Sequence, residues 1–132
     1  MKLNMKILCV EEDTALFEMI RQTVLEYTDQ VAINRCSPTD LVSEQSYFRQ
    51  VDLVLFDLDC RTHNSLELFA AFRESTNIPI VIMDDARTGT NRLIKALHFG
   101  VSEYLLKPLS RNQLISTIIS HSGQPKRTLI GG

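Results

Sequence analysis

An α/β fold, with a parallel sheet covered by helices on both faces, is predicted by three observations. Five strand-like runs alternate with five helix-like runs, and parallel strands need such helical crossovers to return the chain to the same sheet edge. The third strand-like run, Leu53-Val54-Leu55-Phe56, is unbroken and apolar, as a strand buried on both faces requires. Charges stand where these runs end: Glu11 and Glu12 after the first, Asp57 after the third, Lys107 after the fifth. Open parallel sheets bind ligands outside the carboxyl ends of their strands, so these charges lie where chemistry is expected.

The elements follow in order. Met5–Val10 is the first strand. Thr14–Tyr27 is a helix, with Leu16, Met19, Ile20, Thr23 and Val24 at helical spacing and Asp13 or Thr14 as its cap. Gln30–Arg35 is the second strand. Ser37-Pro38-Thr39 opens a helix, proline suiting the first turn, which continues through Asp40–Gln50. Asp52–Asp57 is the third strand. Asn64 or Ser65 caps a helix running through Arg73, with Leu66, Phe69 and Ala70 facing inward. Ile78–Met83 is the fourth strand and Arg87–Thr90 a loop. Asn91–Phe99 is a short helix stopped by Gly100. Val101–Leu106 is the fifth strand, and Ser110 caps a last helix carrying Leu114, Ile115, Ile118 and Ile119. Ser122–Pro125 reads as a linker, so residues 1–122 form the expected domain and residues 123–132 a linker and tail.

Composition limits the function. A chain of 132 residues with 44% hydrophobic content suits one globular domain. A net charge of −2 marks no nucleic-acid-binding surface, so any action on DNA is expected to need a separate output domain. No apolar run reaches the roughly 20 residues of a membrane helix, and the start lacks a signal-peptide core. Three cysteines without metal spacing, Cys9, Cys36 and Cys60, point to a reducing cytoplasm.

Carboxylates and one lysine converging on a sheet edge point to a cation and a phosphoryl group. A hard cation such as Mg²⁺ takes oxygen ligands, and a lysine offsets the charge that a phosphoryl group brings. The chain resembles the receiver domain of bacterial response regulators over roughly residues 5–121. The segments that carry the likeness are Lys6-Ile7-Leu8-Cys9-Val10-Glu11-Glu12-Asp13, Asp52–Asp57, Ile78–Met83 and Gly100-Val101-Ser102-Glu103-Tyr104-Leu105-Leu106-Lys107-Pro108. The resemblance implies a flavodoxin-like, doubly wound five-stranded parallel sheet in strand order 2-1-3-4-5. It implies Asp57 as phosphoacceptor. Glu12, Asp57 and the carbonyl of Asp59 would bind Mg²⁺, with Glu11 holding a metal-bound water. Lys107 would pair with the acceptor, Tyr104 would be the switch aromatic, and Pro108 would follow a cis peptide. The implied partners are a sensor histidine kinase or phosphotransfer protein, and a second copy across the fourth helix, fifth strand and fifth helix. The tail Arg127–Gly132 resembles the opening of the ATPase domain of AAA+ transcriptional activators, and equally a cloning remnant.

Three departures from the family's pattern stand out. Glu11-Glu12 replaces the usual Asp-Asp or Glu-Asp pair, lengthening the arm at the metal. Asp84 or Asp85, depending on whether one counts from Pro79 or from Lys107, replaces the usual threonine or serine. An anion 4 Å from a phosphoryl group repels it by about 4 kcal/mol at an effective dielectric of 20, unless Arg87 or Arg92 pairs with it. Asp59-Cys60-Arg61-Thr62-His63 replaces the usual Pro-Gly-containing loop. These changes also fit a pseudo-receiver, a protein-interaction module indifferent to phosphate.

Blander readings exist for each residue: Glu11 and Glu12 as solvated acids at a helix start, Asp57 as a loop aspartate, Lys107 as a surface lysine, Tyr104 as packing, Arg87 and Arg92 as solvent-facing. A metal-dependent phosphohydrolase is a further class, because Phe56-Asp57-Leu58-Asp59 looks like the Asp-x-Asp opening of haloacid-dehalogenase-like enzymes. Cys60-Arg61 stands where those enzymes carry Gly-Thr.

Overall fold

The computed structural model describes residues 4–43, 50–59, 64–85, 87 and 91–122. Five strands and five helices alternate: β1 (Met5–Val10), α1 (Thr14–Tyr27), β2 (Val31–Cys36), α2 (Pro38–Ser43), β3 (Leu53–Asp57), α3 (Ser65–Ser75), β4 (Ile80–Asp85), α4 (Asn91–Phe99), β5 (Glu103–Lys107) and α5 (Arg111–Ser120). The strands form one sheet in the order β2-β1-β3-β4-β5, all parallel. This is the predicted doubly wound topology.

Strand alternation sorts the core into two layers. On one face Ile7, Cys9, Leu53, Leu55, Val81, Met83 and Leu105 meet Ile20 and Val24 of α1 and Leu114 and Ile118 of α5. On the other, Leu8, Val10, Val54, Phe56, Ile80 and Ile82 meet Leu41 of α2, Phe69 and Phe72 of α3, and Leu93 and Ala96 of α4. Burying each such side chain contributes about 1.5–3 kcal/mol. β3 is buried at every position, as its unbroken apolar run requires. Phe56 anchors the second layer, meeting Phe69 edge-on at 5.5 Å between ring centroids and Phe72 at 6.4 Å.

The helix ends follow from their caps. The Asp13 carboxylate accepts from the N–H groups of Ala15 and Leu16, Asn64 from Glu67, and Ser110 from Gln113, satisfying donors that a helix N-terminus leaves unpaired. α4 stops at Phe99 because Gly100 adopts φ +98°, a conformation that costs glycine little.

Several boundaries differ from the sequence reading. β2 runs from Val31 to Cys36 rather than Gln30 to Arg35. β4 begins at Ile80, since Pro79 has no N–H to give the ladder, and it extends through Asp84 and Asp85, which pair in register with Leu106 and Lys107. β5 accordingly spans Glu103–Lys107. α3 continues two residues past Arg73, whose guanidinium donates to the carbonyls of Thr76 and Ile78 and fastens the helix end to the approach of β4. In α1, Ile20 and Val24 are buried and Phe17 packs beside Leu16, while Met19 is 42% exposed. The expected end of the second helix, the segment from Cys60 to His63, Thr88–Thr90 and the 123–132 tail lie outside the described residues.

Candidate functional site

The site forms at the carboxyl edge of the sheet. β3 delivers Asp57, which is 2% exposed. β5 delivers Lys107, whose Nζ donates to Asp57 Oδ2 at 2.6 Å and lies 3.8 Å from Asp59 Oδ2. Register explains the meeting. Asp57 pairs with Met83 and Met83 with Leu105, so Asp57, Asp85 and Lys107 share one face of the sheet by alternation. The free Oδ1 of Asp57 accepts from the N–H of Asp59 at 2.8 Å, which fixes the carboxylate and folds the chain over it. The Lys107–Pro108 peptide is cis.

Glu11 continues β1 beside Asp57 and is 2% exposed. Its Oε2 accepts from the N–H of Asp13 at 3.2 Å. Its Oε1 is buried and receives no hydrogen bond. Burial, then a hydrogen bond shared with Asp57 and the charge of Asp57, push the Glu11 carboxyl up to about 9, against the pull of the Asp13 N–H and Lys107. Glu11 therefore holds its proton more tightly than an ordinary carboxyl. Burial lowers Lys107, but the hydrogen bond and charge of Asp57, with Glu11 and Asp59 behind it, more than offset that and raise its pKa. Glu12 follows at a half-buried position.

The two β4 acids diverge. Asp85, on the Lys107 face, accepts from Arg87 through both carboxylate oxygens, the closer contact being 2.6 Å. The side-chain and backbone hydrogen bonds of Arg87 hold its carboxyl well below the usual range. Asp84, on the α3–α4 face, is 2% exposed and is gripped by Arg92 of α4: Nη2 to Oδ1 at 2.5 Å and Nε to Oδ2 at 3.3 Å. Arg92 Nη2 also lies 3.7 Å from Asp59 Oδ1. The sequence reading raised the repulsion of an acid at this position; both acids carry an arginine that opposes it.

The sequence offered Arg87 and Arg92 as solvent-facing or as partners of these acids; nothing in their spacing says which arginine turns back over which acid. A third contact gave no sequence signal: Arg35 Nη1 donates to the carbonyl of Glu11 at 2.9 Å and props the β1 end. Ser65 at the start of α3 donates to the carbonyl of Leu58, fastening α3 to the segment that follows Asp57. Tyr104 is 46% exposed on β5 and lines a shallow surface pocket with Asn112 and Gln113 of α5.

Comparison with known proteins gives the family and the fold. The response regulator receiver domain family matches residues 7–119. The chain belongs to that family. Among curated relatives, the receiver is 29% identical over 126 residues to the response regulator ArlR of Staphylococcus saprophyticus, covering 95% of this chain and 56% of that protein. It is 27% identical over 118 residues to the transcriptional regulatory protein KdpE of Staphylococcus aureus, covering 86% and 48%. It is 25% identical over 116 residues to the DNA-binding response regulator MtrA of Mycobacterium tuberculosis, covering 88% and 50%. The chain spans about half the length of these relatives. In fold, it superposes on the receiver domain of the Francisella response regulator 1452 with a TM-score of 0.75 at 21% identity, covering 93% of this chain and all of that one. A two-component response regulator from Clostridium difficile gives a TM-score of 0.75 at 20% identity, covering 89% and 94%.

The family implies Mg²⁺, and the donor types fit a hard cation: the orphaned Glu11 Oε1, the Asp57 carboxylate and the Asp59 segment are all oxygen donors in one pocket. Among the described residues, no three acid, histidine or cysteine side chains gather at ligand distance; Lys107 sits on Asp57 instead.

Proposed function

We propose that this chain is a phosphorylatable receiver of a two-component response regulator, with Asp57 as the phosphoacceptor. The observation that supports it most is the buried Asp57 carboxylate held at 2.6 Å by Lys107 across two strands. An Asp57 oxygen attacks the phosphorus of a phosphohistidine on a sensor kinase or phosphotransfer protein. The O–P bond forms as the N–P bond breaks, and the imidazole leaves with the electron pair. Glu12, Asp57 and the carbonyl of Asp59 would hold Mg²⁺, with Glu11 on a metal-bound water. The cation supplies charge neutralisation for the phosphoryl oxygens. Lys107 stays with the acceptor and neutralises the product, and Tyr104 reports the state of the pocket.

The wider reading is a cytoplasmic protein in which residues 1–122 form the receiver and 123–132 lead to an output domain that regulates transcription. Exposed Ile94, Leu97, Tyr104 and Leu106 on α4 and β5 support a dimer face across α4, β5 and α5. No helix among the described residues is long and apolar enough to cross a membrane. The family and the third-in-chain position of the Asp57 strand leave the phosphohydrolase reading without support. A second reading, a phosphate-indifferent pseudo-receiver, is favoured by one observation: Arg92 and Asp84 already tie α4 to β4 without any phosphoryl group.

An NMR titration with beryllofluoride at millimolar Mg²⁺ tests the proposal. Saturable shifts across α4 and β5, lost in Asp57→Ala, are expected. Their absence would favour the pseudo-receiver, which predicts instead that surface changes at Tyr104 or Ile115 alone disturb regulation; Leu93, expected at the surface as well, lies in the core.

A further inference from the structure

The charged side chains of the pocket form a line of alternating sign. Asp57 meets Lys107 at 2.6 Å, Lys107 meets Asp59 at 3.8 Å, Asp59 meets Arg92 at 3.7 Å, and Arg92 meets Asp84 at 2.5 Å. Arg92 stands in the first turn of α4, with its side chain 30% exposed against 2% for Asp84. It therefore reaches inward from the rim over a buried acid. The charge of Asp57 also favours the charged form of Arg92, after the larger effects of Asp84 and Asp59.

We infer that Arg92 is a phosphoryl-binding residue, parked on Asp84 while Asp57 is bare and turning to the phosphoryl oxygens once Asp57 carries them. This rests on Asp57 being the acceptor. Acids stand at the β4 end where the family pattern has a hydroxyl, and a carboxylate accepts hydrogen bonds rather than donating them to a phosphoryl oxygen. Arg92 carries a planar fork of N–H donors suited to such oxygens and lies one carboxylate away from the pocket. A phosphoryl group adds close to two negative charges, which a guanidinium 3.7 Å from Asp59 is placed to answer. The same movement draws the first turn of α4 toward β3, linking the chemistry at Asp57 to the α4 surface.

Two duller roles compete. Arg92 could serve only to neutralise Asp84, or only to tie α4 to β4. Both act through Asp84, so both vanish once Asp84 is replaced. Beryllofluoride affinity in the full 132-residue chain, read by NMR at fixed Mg²⁺, separates them. Asp84→Ala is expected to bind more tightly than the parent. Asp84→Ala/Arg92→Gln is expected to bind at least roughly tenfold more weakly than Asp84→Ala, since charge-assisted hydrogen bonds are lost. Asp84→Ala/Arg92→Lys is expected to fall between, keeping the charge without the fork. Amide dispersion in each variant checks that it folds. Equal affinity of Asp84→Ala and Asp84→Ala/Arg92→Gln, with the parent binding normally, overturns the role of Arg92 and leaves the acceptor reading intact. No Asp57-dependent binding in any of the proteins overturns the acceptor reading and this inference with it.

Discussion

Lys107 and Asp57 form an ion pair in which one partner is almost wholly buried. Removing the cation leaves Asp57 charged and without its lysine in a low-dielectric pocket, the costly way to break such a pair. Lys107→Met is expected to lower the urea-denaturation stability near neutral pH by about 3 kcal/mol, and Asp57→Asn in the same background to restore most of it. A loss of less than about 1 kcal/mol, typical of exposed pairs, would contradict this. Asp85 gives a pH signature. Its folded pKa lies below its unfolded value near 3.9 because Arg87 binds the charged form. A depressed carboxyl contributes stability above the unfolded pKa and loses it as pH falls. The stability gap between the parent and Asp85→Asn is therefore expected to be present at neutral pH and to close below about pH 4. Added salt should shrink it, because Arg87 is 89% exposed. A gap independent of pH would contradict the assignment. Asp57 and Lys107 were legible in the sequence because strand ends define the edge of a parallel sheet. For Asp84 and Asp85 the two candidate arginines were legible but the pairing was not, because an arginine's long stem reaches a strand end from many positions with no periodic trace.

At the scale of elements, the helices were the most legible parts. α1 and α4 begin and end where caps and a stop glycine place them: Asp13 before α1, Gly100 after α4. The strands shifted by one or two residues where apolar pattern and hydrogen-bond register part company. Ile78 reads as strand because it is apolar, yet Pro79 interrupts the ladder. Asp84 and Asp85, being charged, fall outside the expected strand Ile78–Met83, yet β5 pairs with both. Gly100 isolates one physical term. A Cβ built there meets nothing within 4 Å, so only the positive φ opposes a side chain. Gly100→Ala and Gly100→Leu are each expected to lower the melting stability by about 1–2 kcal/mol, and by similar amounts. A much larger loss for leucine would show that the site is crowded.

Across the whole molecule, the two core layers hold β1, β3, β4 and β5 in one register, and that register brings Glu11, Asp57, Asp85 and Lys107 to one edge. The fold was legible because the β3 pattern leaves no exposed face and each crossover carries its own helix signal. The chemistry was legible as far as the charges that strands deliver, and no further: which acid faces which cation depends on side-chain reach and on the helix above. In the proposed function, signalling rests on one covalent event at Asp57, and the other charges act on its consequences. Incubation with a small phosphodonor and Mg²⁺, followed by intact-protein mass measurement, tests that event most directly. A mass increase of one phosphoryl group in the parent, absent in Asp57→Ala, is the predicted result; no increase, or the same increase in Asp57→Ala, would contradict it.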